Sequence, residues 1–210
     1  MEIQRLRISK TVRVWVHGDV KSATKVWIAL HGYAQESEGF AKVLESLTKE
    51  DTAVIVPEGP HRFYIKGFSG DVGASWMTKA DRLEDIKDYN EYLDLLVKEY
   101  GLEEKRVGVL GFSQGAATAC RWISHARTSI ATLVLWAGVV PPDLDLQFGL
   151  EKLRSLCPTL VIGDQDEFLN EDRVSQLKSL LEEWGVPFEL IRFEGKHRLN
   201  RSVLQDLLIP

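Results

Sequence analysis

Short runs rich in β-branched and aliphatic residues punctuate this chain at 26–30, 53–56, 106–111, 132–137, 159–162 and 188–193. Between them the apolar residues change period: Phe40, Val43, Leu44 and Leu47 recur at helical spacing, as do Leu83, Ile86, Leu93, Leu96, Val97 and Tyr100. A strand that is apolar along its whole length has no face for water. Helices must then cover both of its sides. The pattern therefore predicts an α/β chain with a mostly parallel central sheet and helices on both faces. Ahead of the first run, Val12, Val14 and Val16 alternate with other residues, and His17-Gly18-Asp19 carries turn chemistry. That predicts an antiparallel N-terminal hairpin and a sheet of about eight strands.

Helix ends can be read as well. Gly101 follows the second helical stretch as a stop, Asn170 is placed to cap a helix carrying Val174, Leu177, Leu181 and Trp184, and Asn200 to cap a last one carrying Val203, Leu204, Leu207 and Leu208. The stretch 57–75, rich in glycine and aromatic residues, has no clear period. It is long for a connection, and a role in shaping a pocket is expected of it.

Composition sets the class. At 210 residues the expectation is one domain, 1–210, without a separate cap domain. Net charge is -5, which repels phosphate backbones and excludes general nucleic-acid binding. No apolar run reaches the ~18 residues of a transmembrane segment, and the first residues have no continuous apolar stretch of the secretory kind. A cytoplasmic location is expected. Cys120 and Cys157 stand far apart in apolar surroundings and read as buried free thiols.

The chemistry centres on Gly111-Phe112-Ser113-Gln114-Gly115. A bare Gly-x-Ser-x-Gly is weak, with about 0.07 chance matches expected in a chain of this size. Its setting adds the weight. Arg106-Val107-Gly108-Val109-Leu110 before it is a buried-strand pattern, and Ala116-Ala117-Thr118-Ala119-Cys120 after it suits a helix. Strand, sharp turn and helix make a nucleophile elbow, whose glycines leave room where side chains would collide. A serine hydroxyl needs a base to take its proton and an acid to orient that base, in the chain order Ser, acid, His. Downstream of Ser113 lie His125 and His197. His125 falls at the far end of the elbow helix, so His197, after the last strand run, is the candidate base. For the acid, Asp164, Asp166 and Glu167 compete at one strand end, where α/β sheets place their sites.

Taken together, Leu30-His31-Gly32-Tyr33, Val56-Pro57-Glu58-Gly59-Pro60, Ser75-Trp76, the serine pentapeptide, Ala137-Gly138-Val139-Val140-Pro141, Gly163-Asp164-Gln165-Asp166 and Gly195-Lys196-His197 span almost the whole chain. In these the chain resembles the phospholipase/carboxylesterase family of α/β-hydrolases, which includes acyl-protein thioesterases and small bacterial carboxylesterases. The resemblance implies the α/β-hydrolase fold and a catalytic Ser113, Asp166 and His197. It selects Asp166 over Asp164. It further implies an oxyanion hole from the backbone N–H groups of Tyr33 and Gln114, an orienting rather than catalytic His31, and an acyl groove lined by Trp76 with Phe168 or Leu169. For Trp76, plain core packing is an equal alternative. The implied substrate is a small-molecule acyl ester or thioester of short to medium chain, hydrolysed without metal or organic cofactor. Two other readings use the same scaffold: a lactone or amide hydrolase, and a non-catalytic ligand-binding homologue.

Overall fold

The computed structural model describes residues 2–48, 51–144 and 148–208. The buried-strand runs become β2 (Lys25–Leu30), β3 (Thr52–Pro57), β6 (Arg106–Phe112), β7 (Ile130–Trp136), β8 (Thr159–Gly163) and β9 (Glu189–Phe193). With β1 (Val14–His17) they form a seven-stranded sheet in the order β1-β3-β2-β6-β7-β8-β9. All neighbours run parallel except β1, which is antiparallel to β3.

Alternate residues of each strand face opposite sides, and the two cores sort accordingly. Ile28, Ile55, Val109 and Leu135 pack against α2 (Arg82–Glu99), α3 (Gln114–His125), α4 (Gly149–Leu156) and α5 (Glu171–Glu183). Trp27, Val54, Leu110 and Trp136 pack on the other face against α1 (Ser37–Leu44) and α6 (Arg201–Leu208). Both predicted caps form. Asn170 Oδ1 accepts from the Arg173 N–H at 3.1 Å, and Asn200 Oδ1 from the Ser202 N–H at 3.0 Å.

The sequence expectation needs adjusting at three places. β1 is the antiparallel strand, but it does not fold back as a hairpin onto β2, because β3 and β6 already occupy both edges of β2. It pairs instead with β3, His17 opposite Val54 and Val14 opposite Pro57. Gly18, at φ +80°, makes the crossing: a Cβ there would lie 2.8 Å from Thr52 O. Among the described residues the main sheet thus has seven strands. The stretch 57–75 is not irregular but carries a separate antiparallel hairpin, β4 (His61–Tyr64) and β5 (Val72–Ser75). Both cysteines are free, yet only Cys120 is buried. Cys157 is exposed because it ends α4 in a left-handed conformation, φ 45°.

Candidate active site

Ser113 sits between β6 and α3 at φ 52°, ψ −114°, a backbone conformation rare for any residue with a side chain. Crowding around the turn enforces it. A Cβ on Gly111 would come within 2.5 Å of Gly115 O, and one on Gly115 within 2.1 Å of Leu30 O. The Ser113 N–H donates to Trp136 O at 2.9 Å, so the neighbouring strand β7 holds the elbow from its far side.

Asp166 lies in the turn after β8, and His197 in the turn after β9. Three strand ends therefore bring three side chains to one edge of the sheet. His197 Nδ1 is 2.8 Å from Asp166 Oδ2, and His197 Nε2 is 3.0 Å from Ser113 Oγ. The other carboxylate oxygen of Asp166 accepts from the backbone N–H groups of Phe168 and Leu169, at 2.8 and 2.9 Å. A carboxylate that accepts on both oxygens makes Nδ1 the protonated ring nitrogen. Nε2 is then left with a lone pair toward the serine hydroxyl.

The rival acids take other positions. Asp164 is exposed, and its Oδ1 accepts from the Gly195 N–H at 2.9 Å, while Asp164 N–H donates to Phe193 O and Gln165 N–H to Gly195 O. It stitches the turn of Asp166 to the turn of His197. Trp136 Nε1 holds the histidine turn from below by donating to Arg198 O at 3.0 Å. Glu167 is exposed. His125 closes α3 and is exposed, away from this strand end.

Tyr33 belongs to the loop after β2. Neither its N–H nor that of Gln114, the first residue of α3, has an acceptor among the described residues. A first-turn helix N–H is unpaired by geometry and carries the positive end of the helix dipole. The Tyr33 loop is held rigidly around its own free N–H. His31 Nδ1 bonds Gly32 O at 2.7 Å, His31 Nε2 accepts from the Gly59 N–H at 2.8 Å, and Gln35 Oε1 accepts from the Gly32 N–H at 2.8 Å. Hairpin strand β5 braces the loop through Ala34 N–H to Ala74 O and Ala74 N–H to Gln35 O. His31 is fully buried, and burial pushes its pKa down, so it stays a neutral ring with one donor and one acceptor.

The residues assigned to an acyl groove separate. Trp76 is fully buried; its indole N–H donates to His31 O at 2.9 Å and its ring packs on His31 and Tyr89. It is a core residue and lines no open groove, because this indole is the prop under the His31 turn. Leu169 is 5% exposed and packs with Ile162 and Val174, and its N–H donates to Asp166 Oδ1. Phe168 is 57% exposed, and its ring centroid lies 4.7 Å from that of His197 at 60° between planes.

Sequence reasoning missed the Gln114 side chain. Its Oε1 accepts from the Trp76 N–H at 3.0 Å and its Nε2 donates to Met77 O at 3.0 Å, tying the elbow to the segment that props the Tyr33 loop. Cys120, also on α3, plays no comparable part: burial pushes its thiol up to about 12, so it stays protonated. Among the described residues no group of three or more His, Cys, Asp or Glu side chains is arranged to hold a metal ion. No helix among them is long and apolar enough to cross a membrane.

A serine at a strained strand-to-helix turn, hydrogen-bonded to a histidine that is itself hydrogen-bonded to a buried aspartate, is the geometry of a serine hydrolase on an α/β-hydrolase fold. The family described as serine hydrolase (FSH1) matches residues 21–203, and the chain belongs to that family. Comparison with curated protein sequences gives no match. Among solved structures, the fold is similar to acyl-protein thioesterase 2 of Zea mays, with a TM-score of 0.72 at 16% identity over 93% of this chain and 96% of that one. The Bacillus cereus carboxylesterase aligns with a TM-score of 0.65 at 18% identity, covering 94% and 92% of the two chains. A phospholipase/carboxylesterase from Dyadobacter fermentans gives 0.66 at 15% identity, over 97% and 99%.

Proposed function

We propose that the protein hydrolyses carboxylic esters or thioesters of short to medium acyl chain, with Ser113 as nucleophile. The observation that carries this reading is the unbroken relay from Asp166 Oδ2 through His197 to Ser113 Oγ, at 2.8 and 3.0 Å. Ser113 Oγ attacks the acyl carbonyl as His197 Nε2 takes its proton, and Asp166 stabilises the imidazolium that forms. Charge develops on the carbonyl oxygen in that step. The unpaired N–H groups of Tyr33 and Gln114 receive it. His197 then gives the proton to the departing alcohol or thiol, and a water activated by the same ring releases the acid from Ser113.

The chain-length assignment follows from how open the surroundings are. Ser113 and His197 are partly exposed, and the flanking aromatic rings of Tyr33 and Phe168 are 60% and 57% exposed. A long acyl chain would find an open surface there, with little of its length buried. Thioesterase and carboxylesterase structures with the same fold support the choice of an acyl substrate.

The test is labelling with a fluorophosphonate together with an ester and thioester activity panel. One label per chain on Ser113, and loss of both label and turnover in Ser113→Ala, is the expected result. Full activity in Ser113→Ala would overturn the reading.

A further inference from the structure

The tetrahedral carbon formed on Ser113 carries four groups: the serine oxygen, the oxyanion, the acyl chain and the leaving group. Of the three groups other than the serine oxygen, which His197 Nε2 already meets at 3.0 Å, only the leaving group must come within hydrogen-bond reach of that nitrogen, because it delivers the leaving group's proton. Whatever stands beside the open side of the histidine therefore meets the alcohol or thiol portion of the substrate. The His197 ring contacts two phenyl rings. Phe112, at 5.1 Å, is 6% exposed and belongs to the sheet core. Phe168, at 4.7 Å and 60° between planes, is 57% exposed.

Phe168 is held firmly for so exposed a residue. Its N–H donates to Asp166 Oδ1 at 2.8 Å, and its carbonyl accepts from Arg173 Nη1 of α5, also at 2.8 Å. Its backbone is thereby fixed on both sides, and only rotation about the side-chain torsions carries the ring away from the histidine. In this rotamer more than half of the residue faces water beside the histidine, apolar surface that a ligand at the site would cover.

We infer that Phe168 is the leaving-group wall of the site and that it selects substrates whose alcohol or thiol portion is apolar, flat rings above all. The inference rests on the Ser113 hydrolase reading above, and it places Phe168 on the side of the substrate opposite to an acyl-groove role. Covering one face of the ring gives about a tenfold preference over a leaving group too small to reach it.

The experiment compares kcat/KM for methyl, cyclohexylmethyl and benzyl esters of one carboxylic acid, alcohols of similar acidity, in the wild type, Phe168→Ala and Phe168→Leu. The wild type should prefer the benzyl over the methyl ester, and Phe168→Ala should reduce that ratio about tenfold. Phe168→Leu, which keeps apolar bulk, should lose less of it. A parallel series of methyl esters with lengthening acyl chains should keep the same optimum in all three proteins. An unchanged benzyl-to-methyl ratio in Phe168→Ala, or a displaced acyl-length optimum instead, overturns the inference while turnover still depends on Ser113. Turnover that survives Ser113→Ala overturns the hydrolase reading and this inference together.

Discussion

Asp164 and Asp166 leave the same strand end two residues apart, and the turn between them sends one carboxylate to the surface and the other under His197. Asp166 is 5% exposed with three hydrogen bonds, whereas Asp164 is exposed and accepts from a single backbone N–H. Replacing Asp166 by Asn leaves the histidine without an anion to stabilise its charged form, and kcat should fall by about 10³ to 10⁴ with little change in KM. Asp164→Asn keeps a carbonyl for the Gly195 N–H and should stay within about tenfold of the wild type. Steady-state kinetics of the two variants check both statements, and a reversed order would reassign the acid. Spacing alone left the three carboxylates of this turn open; a period of residues does not say which side chain a tight turn points inward. The backbone bonds between the two turns make that choice.

At the scale of elements, α3 and the β4–β5 hairpin form one unit with the loop after β2. The hairpin escaped the sequence pattern because its strands are four residues each, carry glycine at Gly73 and expose the side chains of Arg62 and Tyr64. Its contribution is support: β5 bonds the Tyr33 loop, and the residues just after it bond Gln114. Gln114→Ala removes the ties from α3 to Trp76 and Met77 without touching the N–H at its own position. The two N–H groups proposed to receive the oxyanion then lose their fixed separation, and kcat should drop by about 10- to 100-fold while KM moves little. Kinetics on one ester measure this, and a drop through KM alone would mean that Gln114 contacts the substrate in its ground state. Strand β6 and the elbow that opens α3 were legible beforehand, since each depends on residues close together in the chain. The Gln114 ties were not, because they join residues almost forty positions apart.

Across the whole molecule, a charged cluster joins the N-terminal segment to the end of β3. Glu58 is 2% exposed and is bonded by Arg13 and by Ser37 Oγ, which in turn accepts from the Trp15 indole N–H at 3.1 Å. Burial alone would raise the Glu58 carboxyl, but Arg13, Ser37 and Arg62 outweigh it and hold the pKa below the ordinary 4.5. A carboxyl with a depressed folded-state pKa adds stability above its unfolded value and loses that stability as pH falls through the folded one. Arg13→Met should therefore lower stability at pH 7 by roughly 1–2 kcal/mol, a figure discounted for the half-exposed arginine. The difference from wild type should shrink below about pH 4, as thermal or urea unfolding across pH would record. A difference that stays constant on acidification would show that Arg13 acts through packing rather than charge. Where β1 goes is decided at this scale too: its own residues ask only for a strand partner, and the partner is whichever edge the parallel core leaves open. The sequence by itself determined the alternation of strand and helix, the elbow around Ser113 and the chain order of the candidate serine, carboxylates and histidine, because periodicity, glycine spacing and chain order are local properties. The tertiary structure decided the edge taken by β1, the inward turn of Asp166, the burial of Trp76 and the exposed seat of Phe168, because each depends on which distant backbone groups and surfaces remain unpaired once the sheet has closed.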